Sequence, residues 1–108
     1  MSGDTRRVHP DKILKYLLNQ TSDPAAAKNR FFRSVGFSPE QWRVLEQALL
    51  EHPTKATLER TEYTQYGEKR IYRCKLPPAP NGKEYCVRTV WQRRDDIFWF
   101  LSAYPRPD

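Results

Sequence analysis

The last fifth of the chain limits the fold more than any other stretch. Glu84-Tyr85-Cys86-Val87-Arg88-Thr89-Val90-Trp91 and Ile97-Phe98-Trp99-Phe100-Leu101-Ser102-Ala103-Tyr104-Pro105 are β-forming runs joined across Arg93–Asp96. Their spacing predicts a hydrophobic hairpin. Period-two alternation groups Val87, Thr89 and Trp91 on one face, with Cys86, Arg88 and Val90 on the other. In the final run it groups Ile97, Trp99, Leu101 and Ala103 against Phe98, Phe100, Ser102 and Tyr104. Both faces are rather apolar, so the hairpin is expected near the sheet centre, at least partly covered on both sides. Buried polar groups cost free energy unless they find partners. Arg88, Thr89, Ser102 and Tyr104 therefore either complete an internal network or line a site.

The first half carries helix punctuation instead. Pro10 and Asp11 open a segment striped with Ile13, Leu14, Leu17 and Leu18, which stops near Asn19. Asp23-Pro24 reads as an N-cap with proline at the first helical position, leading through Ala25–Ala27 to Phe31, Phe32 and Val35 before Gly36. Ser38-Pro39-Glu40-Gln41 reads as a capping box for a helix to about Glu51, with Trp42, Leu45, Ala48 and Leu49 inward. After His52-Pro53 the pattern changes. Strands are expected over Ala56–Thr64 and Lys69–Leu76, separated by a turn at Gln65–Glu68, and Pro77–Gly82 forms a longer connection. The expected architecture is α+β: three N-terminal helices packed on a four-stranded antiparallel meander, with residues 1–8 a loose arm and 9–108 one domain.

A chain of 108 residues supports one core. An apolar share of 38% and 14 aromatic residues favour folding over disorder. A net charge of +6 favours polyanionic partners, nucleic acid first and an acidic protein second. No apolar run reaches the roughly 20 residues that span a bilayer, and no signal-peptide pattern opens the chain. A soluble, cytoplasmic protein with no membrane partner is expected.

Cys74 and Cys86 are too few for a disulfide scaffold or a zinc site. Symmetric pairing of 69–76 with 84–92 would set them opposite each other, where a cross-strand disulfide is conceivable. Reduced, half-buried thiols are the preferred expectation. Metal-ligand spacings, glycine-rich phosphate loops and nucleophile elbows are absent. An enzyme built on this chain would hold no metal or other cofactor and would work with Lys, Arg, hydroxyls and a histidine.

Lys28 shares a helical face with Phe31, Phe32 and Val35. It either snorkels to water or turns its amine into a cleft. Arg88 must find acceptors, from Glu62 or Glu84 or from a phosphate. His9 and His52 are the side chains suited to proton transfer near neutral pH. Each lies beside a proline, and a loop position of that kind is expected to be exposed.

Lys12-Ile13-Leu14-Lys15-Tyr16-Leu17-Leu18-Asn19, Lys28-Asn29-Arg30-Phe31-Phe32 with Gly36-Phe37-Ser38, and Val87–Trp91 with Ser102-Ala103-Tyr104-Pro105 resemble a bacterial and phage-associated domain family. Its members occur alone and at the C-termini of polymorphic toxins. That family looks like a branch of the BECR fold, named for barnase, EndoU, colicin-type and RelE-like ribonucleases. The resemblance covers roughly residues 9–105. It implies metal-independent cleavage of RNA, tRNA among the candidates, by attack of a 2′-hydroxyl on the scissile phosphate.

Carried over by position, the resemblance implies catalytic roles for Lys12, Lys28, Arg88, Thr89 and Tyr104. Lys28 and Arg88 would hold the phosphate, and Thr89, with Ser102, would donate hydrogen bonds to it. Tyr104 would stack a base or move a proton, and Lys12 would be a second phosphate contact or an acid. His9 is the candidate base, without a motif match. Arg30 and Trp91 join Ser102 as RNA contacts. Ser102 departs from the threonine more typical of toxin relatives. The partners implied are RNA and a cognate immunity or antitoxin protein. Two other readings stay open: a non-catalytic nucleic-acid- or protein-binding module of a phage or defence system, and an immunity protein, which the charge of +6 disfavours.

Overall fold

The computed structural model describes residues 5–18 and 27–105, with the backbone alone at Tyr16, Ala27, Lys28 and Asn29. Within them the chain runs β1 (Thr5–Arg7), α1 (Pro10–Lys12), a π-helical turn (Ile13–Leu17), α2 (Ala27–Ser34), a 3-10 turn (Pro39–Gln41) and α3 (Trp42–Glu51). Strands β2 (Leu58–Thr64), β3 (Gly67–Arg73), β4 (Val87–Arg94) and β5 (Ile97–Pro105) follow. They form one five-stranded sheet in the order β1-β5-β4-β3-β2. Strand β1 is parallel to β5, and the other neighbours are antiparallel. The α+β class stands, but the expected four-stranded antiparallel sheet is corrected to five mixed strands. The supposed loose arm contributes the fifth. Thr5, Arg6 and Arg7 carry no hydrophobic alternation, so nothing local marks them as a strand. They pair because β5 offers an unfilled edge, with Thr5 opposite Ile97 and Arg7 opposite Trp99.

The helices cover one face of the sheet. Ile13, Leu17 and Leu18 are buried because the wider turn, closed by the Leu18 amide on the Ile13 carbonyl at 2.8 Å, lets all three reach the core. The expected Asp23-Pro24 cap lies outside the described residues. At its other end α2 closes in a Schellman motif: the Phe37 amide reaches the Phe32 carbonyl at 3.1 Å and the Gly36 amide reaches Arg33 at 3.1 Å. Gly36 supplies the positive φ of 111° that this ending requires.

The expected capping box does not form. Ser38 makes no side-chain cap; its backbone carbonyl takes the Gln41 amide at 3.1 Å, and a 3-10 turn precedes α3. Leu45, Ala48 and Leu49 of α3 are buried, while Trp42 packs against the core only in part.

In the sheet, Val87, Thr89 and Trp91 face the helices, as their alternation implies. Strand β5 departs from its expected parity. Val90 pairs with Ser102 but Trp91 pairs with Phe100, so Leu101 is an extra residue in a bulge. The shift sets Phe98, Phe100 and Ala103 together in the core. It leaves Trp99, Ser102 and Tyr104 on the opposite face with Arg88 and Val90.

Strands β3 and β4 are extended by a bridge between Leu76 and Tyr85, with the Cys74 amide on the Val87 carbonyl at 2.7 Å. That register brings Cys74 and Cys86 together, and they are joined by a disulfide, in place of the reduced pair expected. Among the described residues no helix is long and apolar enough to cross a membrane.

Candidate functional site

Most of the residues singled out by sequence fall into three places. The first is a groove where β1 leaves the sheet edge and turns into α1. A cavity of about 350 Å³ is lined by His9, Asp11, Lys12, Arg94, Trp99 and Leu101, with Phe100 behind. Beside it a second, of about 310 Å³, is lined by the run Arg6–Pro10 with Glu46 and Leu50, again with Trp99. His9 and Trp99 border both, so the two cavities adjoin and together make the groove. Such volumes suit a nucleotide-sized ligand. Four cations and an imidazole stand against two carboxylates, Asp11 and Glu46. Asp11 already has Lys15 at 3.8 Å.

Local structure fixes His9. It is the N-cap of α1, and its Nδ1 accepts the Asp11 amide at 3.1 Å. A ring nitrogen that accepts a hydrogen bond carries no proton, so the neutral ring holds its proton on Nε2. Arg94, last in β4, forms no ion pair with a carboxylate among the described residues. Arg6 is engaged from the side, within 3.4 Å of the Tyr72 hydroxyl and 5.7 Å from its ring centroid.

The second place is the sheet face away from the helices. Arg88 and Tyr104 are cross-strand partners there, and Ser102 lies one pair along. Arg88 is held by a bidentate pair to Glu59, Nε to Oε1 and an Nη to Oε2, both at 3.0 Å. Its hydrogen bond to Tyr104 and the nearby Glu59 carboxylate raise its pKa further, against a smaller opposing desolvation. The carboxylate partner is Glu59, not the Glu62 or Glu84 expected. The bulge within β2, between Leu58 and Arg60, makes Glu59 the available acid.

The third place is the core. Thr89 and Trp91 are fully buried, which corrects their assignment as phosphate and RNA contacts: neither meets solvent. The Trp91 indole N–H donates to Thr89 Oγ1 at 2.9 Å, and that oxygen lies 2.9 Å from His52 Nδ1. With the indole donating, the threonine hydroxyl is free to donate to Nδ1. His52, expected in an exposed loop, is wholly buried at the end of α3. Desolvation lowers its pKa, and backbone groups at Cys74 and Val87 oppose this more weakly.

The sign of that shift sets a pH dependence. The unfolded chain takes up a proton near pH 6.5 and folded His52 takes one up less readily, so acid favours unfolding. The melting temperature should fall as pH drops from 7.5 towards 5. His52→Asn, which keeps a hydrogen-bonding group for Thr89, should flatten that fall. An unchanged slope in the variant would contradict this role.

His9 and Lys12 thus meet in the groove, Arg88, Tyr104 and Ser102 meet on the open face, and Thr89 and Trp91 are internal. Arg30 is exposed on α2 and lines neither cavity. Lys28 sits on α2 three residues before Phe31, and its side chain lies outside the described residues. Sequence reasoning missed Arg94, Trp99 and the pair Arg6-Arg7. The run Arg6-Arg7-Val8-His9 was the available signal, a dense basic stretch directly before a capped helix.

The fold resembles a chain of a contact-dependent growth inhibition toxin–immunity protein complex from Klebsiella pneumoniae 342. The TM-score is 0.72 at 16% identity, covering 94% of this chain and 93% of that one. No curated protein matches the sequence. The sequence profile of a domain of unknown function, DUF6883, matches residues 4–107. With that match spanning nearly its whole length, the chain belongs to the DUF6883 family.

Proposed function

We propose that this chain is a toxin-associated ribonuclease module with a BECR-like fold, cleaving RNA without a metal by attack of the 2′-hydroxyl on the adjacent phosphate. The observation that carries this reading is the convergence of His9, Lys12 and Arg94 on one cavity walled by Trp99. Lys12 and Arg94 neutralise the phosphate and the charge that grows on it in the pentavalent transition state. His9, protonated for this step at the cost of its Nδ1 contact with the Asp11 amide, gives its Nε2 proton to the departing 5′-oxygen and returns to the neutral ring. Asp11, the carboxylate of the same cavity, accepts the 2′-hydroxyl proton. Arg88, Tyr104 and Ser102 on the open face bind flanking RNA, with Arg88 exchanging Glu59 for a phosphate. The toxin-associated reading draws on the fold shared with the growth-inhibition complex, and it adds a cognate immunity protein as partner.

The test is direct. Purified protein incubated with total RNA and with tRNA in EDTA should leave 2′,3′-cyclic phosphate and 5′-hydroxyl ends. RNA left intact between pH 5 and 9 would overturn the catalytic reading. One observation favours the alternative of a non-catalytic nucleic-acid-binding module: the His9 Nδ1 lone pair is already committed to the Asp11 amide. Retention on RNA with a steep salt dependence and no cleavage would select it.

A further inference from the structure

The groove has a feature that phosphate chemistry does not use. Trp99 borders both of its cavities, with Arg94 and Lys12 on one side and Arg6 and Arg7 on the other. It is half-buried, whereas Phe100, the other ring in the lining, is buried in the core. The part of an indole left in solvent gains nothing from exposure, since apolar surface left in water forfeits burial energy. Strand alternation sets Trp99 on the face opposite Phe98 and Phe100, and the Leu101 bulge brings Ser102 and Tyr104 onto that same face.

A basic channel interrupted by a partly exposed aromatic is the arrangement that binds single-stranded nucleic acid. Cations track consecutive phosphates while the ring stacks on the base between them. A duplex cannot use such a ring, because both faces of every internal base are already stacked.

We infer that Trp99 is a base-stacking platform, and that the groove therefore takes an unpaired nucleotide, with phosphates on either side held by Arg94 and Lys12 and by Arg7. This deepens the ribonuclease reading and rests on the groove being its RNA site, but it does not require turnover. It confines the substrate to a loop, bulge or single-stranded end. Trp99 is a positioning residue in this scheme.

The experiment uses a 2′-O-methyl RNA octamer of mixed sequence, which cannot be cleaved by 2′-hydroxyl attack. Tryptophan fluorescence of the full chain should be quenched by the single strand, and much less by the same octamer annealed to its complement. Trp99→Phe should bind within a few-fold of the parent and lose the quenching, because the remaining indoles, Trp42 and Trp91, lie elsewhere. Trp99→Ala and Trp99→Leu should bind about 5- to 150-fold more weakly, the range set by loss of one base–aromatic stack. The leucine variant keeps an apolar side chain on the strand and guards against a folding defect in the alanine one. Quenching that persists in Trp99→Phe, equal binding of duplex and single strand, or unchanged affinity in the leucine variant would each overturn the inference. Quenching without cleavage of ordinary RNA would leave it standing and remove only the catalytic step.

Discussion

His9→Asn is expected to lower RNA cleavage by about 10²–10⁴-fold, the usual contribution of a positioned proton donor or acceptor, with little change in stability. In the proposed mechanism His9 does two separable things: its Nδ1 caps α1 by accepting the Asp11 amide at 3.1 Å, and its Nε2 supplies the proton for the departing oxygen. Asparagine is among the best N-caps, so its side-chain oxygen replaces Nδ1 for that amide. It offers no group that titrates near neutral pH.

His9→Ala removes both and should also lose about 0.5–2 kcal/mol of stability, as cap deletions do. Cleavage assayed on total RNA, beside thermal melts of both variants, separates the roles. If His9→Asn cleaves at the parental rate, the imidazole is only a cap and the catalytic assignment falls.

Thr89→Val is the second large effect, and it falls on stability. Thr89 Oγ1 is the common partner of the Trp91 indole N–H and of His52 Nδ1, each at 2.9 Å, and all three residues are fully buried. Valine matches threonine in shape but leaves two polar groups without partners. Each costs about 1–3 kcal/mol when stranded, so a loss on the order of 2–5 kcal/mol is expected. That is a large part of the roughly 5–15 kcal/mol holding an ordinary domain together.

Thr89→Ser keeps the hydroxyl and should lose far less. Denaturant unfolding of the two variants measures the difference. A Thr89→Val protein within about 0.5 kcal/mol of the parent, the scatter of ordinary surface changes, would show that the hydroxyl is not holding the network. Cleavage by Thr89→Val, assayed where it remains folded, should persist, since Thr89 does not reach the groove.

The same residues show where sequence reasoning runs out. The alternation of Val87, Thr89 and Trp91 was legible because burial of one strand face repeats every two residues. The Gly36 helix stop was legible too, because a positive φ is a local demand. The bulge at Leu101 was not: strand β5 reads as regular, and only packing against β4 reveals the extra residue. That single residue sets Ser102 and Tyr104, which pair with Val90 and Arg88, on the same face as Trp99, and with it changes which side chains can form a site. Arg88 illustrates a second kind of gap. The chain contains several acids, and choosing Glu59 required the irregular register of β2.

Composition and local pattern alone determined an α+β chain with a basic surface, a helical first half and an antiparallel β hairpin at its end. Those properties follow from periodicity, capping chemistry and charge, which act over a few residues or over the whole molecule. Only the tertiary structure decided that Thr5–Arg7 completes the sheet beside β5, and that this edge brings His9 and Lys12 against Arg94 and Trp99. A parallel strand of three polar residues gains its hydrogen bonds from a partner more than 80 positions away. Nothing in its own sequence encodes that partner.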